Sequence, residues 1–275
     1  MTFSINSNAG ALIALQNLSQ TANQLGKVQN VISTGKMVNT AADYGAVWSI
    51  ANTMTSKVSA LDAVKDSLNR ATSTVDVAMS AGQQVSDLLS QLKTKALAAS
   101  DTSLNTTSRQ AMNANFKSLL SQISDVVNNA SFNGVNMINT GGTTIQALAS
   151  DSGTSKITVA AQNLSLGGSI VTIAAAASFA TAAAASAYVA TLTTDITNVN
   201  TALTNLGTGS NALAGQLSFV TKLQDSLNTG ISNLVDADMA AESAKLQALQ
   251  TKQQLGIQAL SIANQSTSSV LSLFR

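Results

Sequence analysis

The sequence predicts a mainly α-helical protein with long helices at both ends and one small β insert in the centre, and three features predict it. No proline occurs in 275 residues, so nothing in the chain forbids a helix. Heptad-like apolar stripes mark the two ends. Short β-type runs are confined to the stretch from Gly141 to Ile173.

Near the start, Ala11, Leu15, Leu18, Ala22, Leu25, Gln29 and Ile32 are spaced alternately four and three apart. Near the finish, Leu246, Leu249, Gln253, Gly256, Leu260, Ala263, Thr267, Val270 and Phe274 are spaced alternately three and four apart, with Gln253, Gly256 and Thr267 interrupting the apolar run. This spacing makes a seam for a second helix, or equally one amphipathic face on an ordinary core, and spacing alone leaves both open. A further helix is expected from Ile50 to about Ala99, where apolar residues recur without a stop. Ser73-Thr74-Val75-Asp76 matches a capping box but reads as helix interior, because the periodicity continues through it. Helices are expected over Thr107–Asn129 and from Ser178 or Tyr188 to Leu234, with Gly207 and Gly209 as weak points. The insert contributes Lys156–Val159, Leu164–Leu166 and Ile170–Ile173 as β-type runs, separated by Asp151-Ser152-Gly153 and Gly167-Gly168 turns.

Charge says more about the ends than hydrophobicity does. Charged residues make up 10% of the chain, against roughly 25% in an ordinary soluble domain, and aromatics only 3%. No residue before Lys27 is charged, and none between Lys252 and Arg275. An exposed helix normally keeps charges on its outer face. Here Asn, Gln, Ser and Thr stand there instead, which suits a subunit packed among neighbours, where buried charges are costly. The same residues make each end a poor helix alone, so the ends are expected to order on assembly.

Composition also excludes whole classes of function. Without His or Cys there is no Ser-His-Asp triad, no Cys nucleophile and no zinc site built on those ligands. A net charge of +1 with no basic run argues against nucleic acid. The start, Met1 to Asn6, lacks the basic and apolar regions of a secretory signal. The longest uncharged stretch, Ile157 to Thr194, is too polar for membrane insertion.

Candidate chemical motifs have plainer readings. Thr34-Gly35-Lys36 resembles the tail of a phosphate loop, but Asn30 stands where glycine is needed and Met37 where Ser or Thr is needed. Asp236, Asp238 and Glu242, the chain's only Glu, form the densest acidic group. They stand where the positive end of the last helix favours acids. Trp48, the only Trp, reads as a core or interface anchor. No catalytic, cofactor-binding or metal-binding residues emerge, so the chain is expected to be no enzyme and to need no cofactor.

Particular stretches resemble bacterial flagellins. Ile32-Ser33-Thr34-Gly35-Lys36-Met37-Val38-Asn39-Thr40-Ala41-Ala42-Asp43 is similar to that family's N-terminal pattern, and Ser49-Ile50-Ala51-Asn52 follows it. Ser131-Phe132-Asn133-Gly134-Val135 resembles the family's Phe-Asn-Gly turn. Asp236 to Glu242, Ala263-Asn264-Gln265 and Val270 to Arg275 resemble its C-terminal motifs. The matches keep the family order over roughly residues 1–140 and 186–275, and look most like the short flagellins of Caulobacter-type alphaproteobacteria.

The resemblance implies a secreted structural subunit of the extracellular flagellar filament, self-assembling into a hollow helical polymer for swimming. It divides the chain into residues 1–40 and 236–275 as an inner coiled-coil domain, 41–140 and 186–235 as a helical-bundle domain, and 141–185 as a small variable outer segment. Leu18, Leu25, Ile32, Leu246, Leu249, Leu260 and Val270 are expected to form the self-assembly seam. The implied partners are other copies and sister flagellins, the flagellar export apparatus, a flagellin chaperone, the filament cap and the hook–filament junction proteins. Two other functions fit parts of the sequence. One is a junction adaptor that does not polymerise freely. The other is a membrane-active translocator inserting residues 174–190.

Overall fold

The computed structural model describes residues 8–272, with side chains through Gln265. Among the described residues, five helices and two small antiparallel sheets follow one another. In chain order these are α1 (Ala9–Thr34), α2 (Ala41–Ala99, kinked at Tyr44, whose backbone is extended rather than helical), α3 (Thr106–Asn129), the strands β1 (Ser131–Phe132), β2 (Val135–Asn136), β3 (Ile145–Leu148) and β4 (Lys156–Val159), then α4 (Ala182–Val235) and α5 (Met239–Ser272). The chain forms two compact units, residues 1–56 with 226–275, and residues 57–225. Both divisions fall inside helices, α2 and α4, whereas the sequence segments change at 40/41 and 235/236.

The larger unit is built on heptad spacing. Leu61, Val64, Leu68, Ala71, Val75, Ala78, Val85, Leu89, Leu92, Ala96 and Ala99 line one buried stripe of α2. On α4, Leu192, Val199, Leu206, Leu213 and Val220 recur at every seventh position, all buried. Phe116, Leu120, Ile123 and Val127 supply the buried face of α3. Each buried Leu-sized side chain contributes on the order of 1.5–3 kcal/mol, so this core holds together without large aromatic anchors. The aromatic contacts it has converge on Phe116, which meets Phe179 edge-on at 5.1 Å and Tyr188 at 5.7 Å.

The turn from α2 to α3 is tied by one cation. Arg109 is buried, and its guanidinium donates to the carbonyls of Ala99, Asp101 and Leu104. Positive charge there also suits the carbonyl end of α2. After α3, Asn133 and Gly134 both take positive φ between β1 and β2, as a tight hairpin turn requires. The buried Asn136 then satisfies its whole amide, donating to the Val127 carbonyl and accepting from the amides of Ile138 and Asn139.

The central insert departs from the sequence expectation. Lys156–Val159 is a strand, but its partner is Ile145–Leu148, which carries no strong β signal. Leu164–Leu166 and Ile170–Ile173 are not strands. Val171 and Ile173 are buried in alternation, as a strand face would be, yet their segment bonds to a side chain. Asp195 of α4, fully buried, accepts from the amides of Thr172 and Ile173 and from the Thr172 hydroxyl. Gly207 and Gly209 do not weaken α4, which is continuous through both. At Gly209 a Cβ would stand 2.6 Å from Val159, so this glycine lets the β4 side chain reach the helix backbone. Helix α4 starts at Ala182, so residues 174–190 are not one helix, and no helix among the described residues is long and apolar enough to cross a membrane.

Candidate assembly interface on the terminal helices

Helices α1 and α5 pack along their length in antiparallel sense. Four observations give the register. The Asn8 amide donates to the Ala263 carbonyl at 2.8 Å, and Gly10 faces Ala263. Leu18 lies against Gly256. At the other end, Lys36 and Asp236 pair as an isolated antiparallel bridge.

Local chemistry explains why the helices start and stop where they do. Asn8 caps α1, its side-chain oxygen accepting from the Ala11 amide. Gly35 ends α1 in the left-handed conformation, its amide donating to the Val31 carbonyl. The Thr34-Gly35-Lys36 stretch is therefore a helix cap, which accounts for its glycine without any phosphate. The next residues cross the end of α4. Met37 and Val38 donate to the Val235 carbonyl, and Ala237 donates back to Gly35. A small core of Val38, Ala51 and Val235, flanked by Val47 and Ile231, sits under this crossing.

Acidic residues stand at the starts of both following helices. Asp43 accepts from the amides of Asn39 and Thr40 and from the Thr40 hydroxyl. The Thr40 amide above all, then its hydroxyl and the Asn39 amide, hold this carboxyl below the usual carboxylate range. Asp238 caps α5 by accepting from the amides of Ala240 and Ala241. Glu242, one turn on, is buried, with one carboxylate oxygen 3.2 Å from the Lys245 ammonium.

The predicted seam residues can now be placed. Leu249 is buried, and Leu18, Leu25, Ile32, Leu246 and Leu260 are half-buried, on the facing stripes of α1 and α5. Gln253 and Gly256 belong to the same stripe of α5 despite being polar or lacking a side chain. The side chains of Thr267 and Val270, and Phe274, lie outside the described residues. On α1 the stripe differs from the one expected. Leu15, Ala22 and Gln29 are exposed, and Ala14, Thr21 and Val28 take their places, with Thr21 and Val28 buried. Thr21 tolerates burial because its hydroxyl donates to the Asn17 carbonyl.

What remains uncovered mixes Asn, Gln, Ser and Thr with large apolar side chains. Leu12, Ile13 and Leu15 on α1, and Leu255, Ile257 and Ile262 on α5, are 53–69% exposed. No charge accompanies them over residues 8–26 or 253–265. One groove between the helices is lined by small and apolar residues, Gly10, Ile13, Ala14, Leu255, Gly256 and Ala259, together with the polar Asn17 and Thr21 and the charged Lys252. Single exposed leucines are ordinary, but six large apolar side chains exposed on one helix pair, in stretches without charge, mark an interaction surface.

Comparison with protein families agrees with this reading of the ends. Residues 5–144 match the bacterial flagellin N-terminal helical region, and residues 189–274 the bacterial flagellin C-terminal helical region.

The chain belongs to the flagellin family.

This flagellin is 53% identical to flagellin FljM of Caulobacter vibrioides over 99% of its own length and 98% of the relative's. Flagellin FljK of the same organism is 52% identical over the same shares. A flagellin of Brucella melitensis is 38% identical, covering 99% of each chain. The fold is that of a solved Bacillus cereus flagellin, with a TM-score of 0.51 and 21% identity over 56% of this chain and 88% of that one. Flagellins are the structural subunits of the bacterial flagellar filament, an extracellular polymer, and this flagellin is a filament subunit of that family.

Proposed function

We propose that this flagellin polymerises head-to-tail into a hollow helical filament for swimming, with paired α1 and α5 lining the channel. The helices of residues 41–140 and 186–235 form the shell around that inner layer, and residues 141–185 lie outermost. One observation carries the reading: exposed apolar side chains on the charge-free parts of α1 and α5, residues 8–26 and 253–265. Such side chains are covered when identical subunits repeat a non-closing contact, which generates a filament without a cofactor. The intramolecular seam of Leu18, Leu25, Ile32, Leu246, Leu249, Leu260 and Val270 holds the pair together, and Leu12, Ile13, Leu15, Leu255, Ile257 and Ile262 meet other copies.

As a subunit delivered to a growing tip, the chain would use the flagellar export apparatus and a flagellin chaperone, add beneath the filament cap, and abut the hook–filament junction proteins. Electron microscopy of the purified chain, seeded with short filament fragments and assembled by added salt, tests the central claim. Long helical filaments are the expected product. Rings, short caps or persistent monomers would replace the filament reading with that of a junction adaptor.

A further inference from the structure

Beside the crossing of residues 35–38 and 235–237 lies a recess that the terminal helix pair does not fill. Its lining is mixed: Trp48, Val38, Ala51, Ile231 and Val235 are apolar, and Lys36, Asn39, Asn52 and Thr55 are polar. Val38, Ala51 and Val235 are buried, but Trp48 keeps 37% of its surface exposed. Tyr44, four residues earlier, is 59% exposed, and Met37, beside Lys36, is 52% exposed. Trp48, the chain's one Trp, is thus partly exposed at this recess. An indole has few rotatable bonds, so covering the exposed part of Trp48 gains contact area at little cost in side-chain freedom.

We propose that the Trp48 recess is a socket for a second copy of this chain, closed by subunit contact on polymerisation. The occupant follows from the filament reading, on which this inference rests. The chain's family polymerises with itself, and the apolar side chains left uncovered on α1 and α5 of each copy are of the kind that fills such a recess.

Because Trp48 is the only Trp, its emission reports on this recess alone. The test compares the emission maximum and acrylamide quenching of monomer and of seeded filaments, with filament formation scored independently by electron microscopy. The expected result is a blue shift with quenching reduced severalfold on polymerisation. Filaments that form with unchanged Trp48 emission overturn the socket and leave the filament reading intact. A monomer already blue-shifted and protected from acrylamide shows that the chain closes the recess itself, which also overturns it. Failure to polymerise under good seeds removes both. A Trp48→Ala variant that keeps the helical signal of the monomer should need about thirtyfold more protein to polymerise, the effect of losing an interface anchor. An unchanged critical concentration would contradict the proposal.

Discussion

The Cδ1 methyl of Leu18 on α1 lies 3.3 Å from the point where a Cβ on Gly256 of α5 would stand. A leucine on one helix thus occupies the space that a side chain would take on the other. Two opposing terms meet at this position. A helix-interior glycine costs about 1 kcal/mol relative to alanine, and an added methyl must push Leu18 aside by a few tenths of an ångström. Gly256→Ala should therefore leave stability within about 1 kcal/mol of the parent, whereas Gly256→Leu should lose about 1–3 kcal/mol. Urea unfolding followed by far-UV circular dichroism distinguishes the two.

Faces that pair within one chain and faces left for other copies should respond differently to charge. Leu12→Asp and Ile262→Asp alter exposed positions and should abolish filaments with the monomer's helical signal unchanged. Leu25→Asp and Leu260→Asp alter the facing stripes and should lose both filaments and the helicity of α1 and α5. Normal filaments from Leu12→Asp would show that the exposed faces are not contacts.

Asp195 is the fixed point of the irregular segment that precedes α4. Replacing it with Ala leaves the amides of Thr172 and Ile173 without an acceptor where Val171 and Ile173 are buried. A buried donor left unsatisfied costs about 1–3 kcal/mol, so Asp195→Ala should destabilise by about 2–5 kcal/mol in total. Thermal unfolding measures this, and Asp195→Asn, which keeps one acceptor oxygen, should lose less.

Acid should release the start of α2. The Asp43 carboxyl is held below its ordinary value by the Thr40 amide and hydroxyl and the Asn39 amide. Its contribution is therefore complete above the unfolded-state value, near 4, and is lost as pH falls through the lower folded value. The Thr40 amide resonance followed by NMR should titrate below pH 4 in the parent, and Asp43→Asn should remove that transition. A transition in Asp43→Asn at the same pH would assign it to another group.

Much of this architecture is legible in the sequence because heptad spacing survives with small residues in it. The α5 stripe reads correctly through Gln253 and Gly256, since the spacing on either side is unbroken. The α1 stripe is harder. The two phases share Ala11, Leu18, Leu25 and Ile32 and differ between Leu15, Ala22, Gln29 and Ala14, Thr21, Val28. Leu15 is more apolar than Ala14, and Thr21 hides its polar group against the Asn17 carbonyl, so hydrophobicity favours the wrong phase. The insert misleads for a different reason. Ile170–Ile173 has β-type residues, but its amides are claimed by Asp195, a long-range bond that no local pattern reveals. Ile145–Leu148 pairs as a strand with Lys156–Val159 although Gln146 and Ala147 give little local preference for it. The exposed faces of α1 and α5 are readable only from missing charge.

The hydrogen bond from Asn8 to Ala263 joins residues 255 positions apart. Helix α1 waits for its main partner until α5, beginning at Met239, has been made, so it stays single while more than 200 intervening residues are added. The same order holds for a chain threaded through a narrow conduit from either end. One member of the pair always emerges while the other is still inside. Closure of so long a loop is slow, and it comes after the local helices of residues 57–225 have had time to form. A chain cut between residue 225 and α5 would keep those middle helices and still lack the clasp, leaving α1 an unmatched half.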